Sequence, residues 1–366
     1  MDRLKFTDDQ LPGALESFLK EFLETKADLT TGAIITVVHK GKAVLHYPFG
    51  YANAEKRIPV TADRTLFRIA SVTKSFTAAT FLTNWENKGF PPADIKTRDV
   101  NDIIAELEEA SPEFSIQFRV DSNGFSEPIT VWNLLTHTAG FEDAFLGMDS
   151  YPGDDLSEWK LDPRLYNRTH LLNGNFPKRV YPPNTAFSYS NGGFILLGYL
   201  IELLCRQPYP DALWDTVLKP LGMKSSSAAI NYAKDPVAIR AELPQDNMEH
   251  LDYAEPHVAK KSETGAPIHK IMPLQKQMRC LSMSDGSLAL TATDMSKYMI
   301  CILNGGRFEG KQVLSPFAIE LMTTKQFEKF EGSGLWSNAG LMEQIAPHYN
   351  GLNYLEHGGF ISRGID

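Results

Sequence analysis

The chain has 366 residues, 43% hydrophobic and 22% charged, with a formal net charge of −9. That size gives ample core for two domains or one large elaborated α/β unit. The acidic balance argues against a nucleic-acid partner, which needs a basic face. Cys205, Cys280 and Cys301 show no metal-type spacing and leave at least one thiol unpaired, so disulfides are not expected to organise the fold. Cys205 and Cys301 sit in apolar stretches and read as buried fillers.

The opening "MDRLKFTDDQ" has no apolar run behind a basic end, so no signal peptide is expected. The run Phe194 to Cys205, interrupted by Glu202, is too short to span a bilayer. These features fit a cytoplasmic protein or an exported one lacking its signal. In chain order, residues 11–25 repeat Leu15, Leu19, Phe22 and Leu23 at helical intervals and predict an amphipathic helix. "GAIITVVH" (32–39) and "KAVLHYPFG" (42–50) predict two strands joined by a tight turn at Lys40-Gly41. Residues 71–88 predict a helix with Val72, Phe76, Ala79 and Leu82 or Trp85 on one side, stopped by Gly89. From about residue 90 to 283 short helical pieces alternate with Pro-, Asn- and Asp-rich loops, including a polar stretch at 244–267. "SLALTAT" (287–293) predicts a strand leading into a helix over 294–303. Strands near both ends and helices between predict an α/β part, 1–85 with 285–366, around an inserted helical region, 86–284.

Three short stretches carry candidate chemistry. Ser71 and Lys74 in "SVTK" open the predicted helix, "YSN" places Tyr189 and Asn191 ahead of an apolar helix, and "HGG" (357–359) lies on a late apparent strand. Spacing alone is weak, because Ser17–Lys20 and Ser157–Lys160 repeat Ser-x-x-Lys and "YAN" (51–53) repeats Tyr-x-Asn. A serine hydroxyl needs a base within reach, and residue i+3 of a helix lies on nearly the same side. Lysine acts as that base only when neutral, which burial or nearby positive charge promotes. A helix N-terminus also favours developing negative charge. The scattered histidines show no ligand spacing, so neither a metal nor any other cofactor is expected.

The order and context of these stretches resemble the serine β-lactamase and penicillin-binding-protein superfamily, in particular its class C-like branch with esterases and D-aminopeptidases. The phrases "LFRIASVTKSFTA", "ITVWNLLTHTAGF", "YPPNTAFSYSNGGFILLGYLIE", "PLGMKSS" and "LNGGRFEGKQVLSP" occur here in the family's order. The resemblance implies an antiparallel sheet flanked by helices, with about two further strands and a C-terminal helix beyond "HGG". It implies a serine hydrolase acting on a small ester or amide: Ser71 as nucleophile, Lys74 and Tyr189 handling the proton, the amides of Ser71 and Phe360 as oxyanion hole. Asn191 would hold Lys74 and the substrate, and Gly358 and Gly359 would let substrate approach the strand edge. Relatives usually carry lysine at the position of His357, so the resemblance favours esters over penicillins or peptides, with Arg363 a candidate replacement cation. His137 in "LLTHTAGF" carries a structural expectation only. Whether Lys74 or Tyr189 accepts the first proton, whether the acyl group goes to water or another acceptor, and the oligomeric state all stay open. So does a non-catalytic binding role, or a β-lactamase or D-alanyl carboxypeptidase activity.

Overall fold

Helix α1 (Leu11–Glu24) is followed by the hairpin of β1 (Gly32–His39) and β2 (Lys42–Asn53), close to where periodicity placed them. Lys40 and Gly41 take φ of 48° and 73°, the paired positive values that a two-residue turn needs to match strand twist. Leu19 and Leu23 are buried and α1 packs on β2, whereas Phe22 of the expected apolar face is exposed and stacks with Phe18. The computed structural model describes residues 10–25, 30–142, 166–172, 176–228, 252–254, 257–260, 270–273, 283–324, 326, 344–349, 352–356 and 358.

β3 (Ile58–Pro59) pairs with β2, and β4 (Thr65–Arg68) leads through a 3₁₀ turn (Ala70–Val72) into α2 (Thr73–Asn87). Then come α3 (Asp94–Thr97), α4 (Val100–Ala110), α5 (Val131–Leu135), α6 (Tyr166–Leu172), α7 (Asn191–Cys205) and α8 (Tyr209–Leu213). Strands β5 (Ser226–Ser227), β6 (Asp252–Tyr253), β7 (His257–Lys260) and β8 (Lys270–Pro273) precede α9 (Met283–Gly286). The chain continues through β9 (Ala289–Leu290), α10 (Ala292–Leu303), β10 (Arg307–Phe308), β11 (Lys311–Gln312) and α11 (Pro316–Thr323) to the hairpin β12 (Gln344–Tyr349) and β13 (Leu352–Glu356). One sheet runs β5-β9-β4-β6, with β9 antiparallel to both β5 and β4. It therefore joins early and late segments, and α10 covers the first hairpin. The mixed α/β class read from the sequence holds.

Three local expectations need correction. The polar stretch around 244–267 contributes strands as well as loop, and β6 runs parallel to β4. The strand read over 287–293 is two residues long, because the Thr291 hydroxyl accepts from Asp294 N–H and starts α10 early. Helix α2 is buried almost all round rather than on one side. Its hydroxyls make this affordable: Ser75 and Thr80 donate to the carbonyls of Val72 and Phe76, each at 2.8 Å, and Thr77 donates to the Ser284 carbonyl at 2.6 Å, so these groups do not need water.

Helix α7, buried from Asn191 to Leu204, packs along α2 and forms the centre of the core. It carries Glu202, fully enclosed, whose carboxylate lies 3.0 Å from the Arg168 guanidinium on α6. Burial pushes the Glu202 carboxyl up to about 8 against the pull of Arg168. The unfolded chain releases this proton near the ordinary carboxylate range while the folded chain keeps it, so stability falls as pH rises from about 4.5 towards about 8. Glu202→Gln is expected to remove that slope. Urea midpoints of wild type and variant, compared at about pH 5 and about pH 8, measure it.

Candidate active site

Ser71 does not sit on the α-helix itself but in the 3₁₀ turn that feeds it. Lys74 follows three residues on, in the first turn of α2, on nearly the same side of the chain as Ser71. Ala70, just before the serine, is held at φ 46°, a conformation costing a non-glycine residue about 1–3 kcal/mol. Nothing in the sequence marks it. Lys74 Nζ lies 3.1 Å from Ser71 Oγ, and Tyr189 OH donates to the same oxygen at 2.7 Å. Lys74 is wholly buried, Ser71 and Tyr189 partly so.

Two further acceptors hold Lys74 Nζ: Asn191 Oδ1 and the backbone carbonyl of Asp285, each at 2.7 Å. An ammonium can donate to all three oxygens. A neutral amine has only two hydrogens. Because both carbonyls can only accept, they claim those two, and the lone pair is left facing the Ser71 hydroxyl. The surroundings thus satisfy either protonation state and orient the neutral one as a base. The rings of Tyr189 and Phe194 flank Nζ, with centroids 4.9 and 5.7 Å away.

The Asp285 carbonyl comes from a segment that sequence reading left out, and no side-chain pattern identifies a backbone acceptor. Its position has a visible support. One turn beyond Lys74, Thr77 Oγ1 contacts the neighbouring Ser284 carbonyl at 2.6 Å and Tyr209 OH at 2.7 Å. Lys74 and Thr77 therefore grip two consecutive carbonyls of α9. On the far side Ser284 Oγ donates to Asn167 Oδ1 at 3.1 Å. A Cβ at Gly198 would lie 2.4 Å from both Asn167 and Ser284, so α7 can reach this segment only through glycine.

The decoy motifs among the described residues lie apart from this site. Ser17 is exposed and donates to Gly13 O, beside an exposed Lys20. Tyr51 is exposed on β2, and Asn53 accepts from Lys56 N–H. Ser157 and Lys160 lie outside the described residues. So do His357, Gly359, Phe360 and Arg363, and with them the second oxyanion amide and the expected anion-binding cation; Gly358 is exposed just beyond β13. Cys205 is half-buried and Cys301 buried, and burial pushes both thiols up to about 11. Among the described residues no cluster of acidic, histidine or cysteine groups is placed to hold a metal, and no helix is long and apolar enough to cross a membrane.

A family profile described as Beta-lactamase matches residues 19–364. Protein flp of Staphylococcus aureus (strain NCTC 8325 / PS 47) is 30% identical over 213 residues, 58% of this chain and 38% of that protein's length. D-aminopeptidase of Gluconobacter oxydans (strain 621H) is 27% identical over 198 residues, 54% of this chain and 32% of that protein. Each match therefore spans well under half of the curated relative. The crystal structure of D-amino acid amidase from Ochrobactrum anthropi SV3 shares the fold, with a TM-score of 0.63 at 21% identity, covering 95% of this chain and 84% of that one. With the profile running over nearly its whole length on that shared fold, the chain belongs to the Beta-lactamase family.

Proposed function

We propose that the protein forms an acyl-enzyme on Ser71 from a small ester or amide. The observation that carries this is the convergence of Lys74 Nζ and Tyr189 OH on Ser71 Oγ, at 3.1 and 2.7 Å. Ser71 Oγ attacks the carbonyl carbon while its proton passes to the Lys74–Tyr189 pair. The C–O or C–N bond to the leaving group then breaks, and the leaving group takes that proton. Water attacks the acyl carbon in turn, gives a proton to the same pair, and releases the acid as Ser71 recovers its hydrogen. Another hydroxyl or amine in place of water would make the reaction a transfer. The Ser71 and Phe360 amides are assigned to the oxyanion, and Gly358 and Gly359 to close approach of the substrate.

Esters are the preferred class. Histidine is a more weakly basic group than lysine, so at position 357 it supplies a weaker counter-charge for a substrate carboxylate than a lysine would, and Arg363 is a candidate to replace it. The D-aminopeptidase relative favours a second reading, amides of D-amino acids. Incubation with a fluorophosphonate followed by peptide mapping tests the common step: one adduct on Ser71 is expected, and a folded protein that stays unlabelled overturns the proposal. Relative kcat/KM on short-chain p-nitrophenyl esters and D-amino acid p-nitroanilides then separates the two substrate classes.

A further inference from the structure

We infer that His137 is a positioning residue that holds the Tyr189–Asn191 segment in register with Ser71, an inference that rests on the catalytic reading above. Tyr189 lies on an extended stretch outside any helix, and Ser190, which caps α7, keeps extended angles of φ −144° and ψ 120°. An extended stretch of three residues has little intrinsic rigidity, yet its phenol must stay within hydrogen-bond reach of Ser71 Oγ. Something must over-determine its place.

His137 grips this stretch at three points. Its backbone carbonyl accepts from Ser188 N–H at 2.8 Å, and its ring Nδ1 accepts from Ser190 N–H at 3.1 Å. These are alternate amides on one edge of the chain, on either side of Tyr189. The imidazole also lies against the Tyr189 ring, with centroids 4.4 Å apart and planes tilted by 33°, and against Phe194 at 5.2 Å. These are the same two rings that flank Lys74 Nζ. The residue is 5% exposed, and its backbone is held at φ 57°.

The chemistry requires more than bulk. Accepting from Ser190 places the lone pair on Nδ1, so a neutral ring carries its hydrogen on Nε2. Only a side chain with both a flat face and an acceptor near its Cβ makes all the contacts. Phenylalanine keeps the face and leaves the buried Ser190 N–H without this partner. Asparagine keeps an acceptor at about the Nδ1 position, tolerates left-handed backbone, and gives up the face. If the acceptor fixes the segment, the two substitutions separate.

The measurement is the second-order labelling rate of Ser71 by a fluorophosphonate, beside kcat and KM on a p-nitrophenyl ester, for protein shown by its urea midpoint to be folded. His137→Phe is expected to slow labelling and lower kcat by about 10- to 100-fold, the cost of a small misplacement of a reacting group, with KM changed less than about threefold. His137→Asn is expected to stay within about fivefold of wild type. Because His137 acts through Tyr189, adding His137→Phe to Tyr189→Phe should cost little more than Tyr189→Phe alone. Labelling of His137→Phe at the wild-type rate, a folded His137→Asn as slow as His137→Phe, or additive losses in the double variant would each overturn the inference while leaving the catalytic reading in place. Should His137→Phe not fold, the His137→Asn rate decides alone. A wild type that does not label on Ser71 removes the catalytic reading and this inference with it.

Discussion

Ser71→Ala is expected to lower ester turnover by on the order of 10³- to 10⁶-fold, the range seen when a covalent nucleophile is removed. The substitution leaves the backbone of the 3₁₀ turn untouched, since its bonds run Val72 N–H to Ile69 O and Thr73 N–H to Ala70 O. Alanine also suits a half-buried site better than a group that must be solvated. The urea midpoint should therefore move little, and a loss of activity reads as lost chemistry. The assay is steady-state hydrolysis of a short-chain p-nitrophenyl ester, with intact mass confirming that no acyl or phosphonyl adduct forms. Activity within a few-fold of wild type would reject Ser71 as the nucleophile and turn attention to the pocket as a binding site.

Lys74→Met should cost activity on a similar scale, about 10³-fold or more, and should also cost stability. Methionine nearly matches the lysine stem in volume but donates nothing. The Asn191 and Asp285 carbonyls then lose their shared donor in a site without water access at Lys74, worth about 1–3 kcal/mol. Part of this is offset because an amine no longer has to be desolvated. The variant should fold with a lowered urea midpoint and leave Ser71 slow to label at every pH. A folded Lys74→Met that labels within a few-fold of wild type would remove Lys74 from the proton transfer.

The two expectations differ in what made them legible. Ser71 and Lys74 are three residues apart, so local geometry alone brings them together. Tyr189 and Asn191 are 118 and 117 residues away, and only their order within several family-like phrases pointed to them. The Asp285 carbonyl, 211 residues from Lys74, had no such signal, because every residue carries the same backbone acceptor. His137 was visible as a motif residue but not as a support, since its role depends on which amides and rings meet its two faces. Helix α2 reads as one-sided because threonines count as polar in a periodicity; Thr80 bonds back to the preceding turn, Thr77 reaches the Ser284 carbonyl, and both are buried with the rest. The polar stretch 244–267 reads as loop for a related reason: β6 and β7 are short and defined by their partners, β4 and β8, rather than by alternation.

By itself, the amino-acid sequence determined the α/β class, the first hairpin with its turn, the two central helices, and the serine and lysine one turn apart. Each of these follows from interactions within a few residues or from apolar periodicity. Only the tertiary structure decided that Lys74 is buried while Lys20 is exposed, which oxygens surround the amine, and what holds the tyrosine over the serine. Those outcomes depend on long-range packing of α2, α7 and α9, where burial removes water and leaves each donor only the acceptors that neighbouring segments happen to bring.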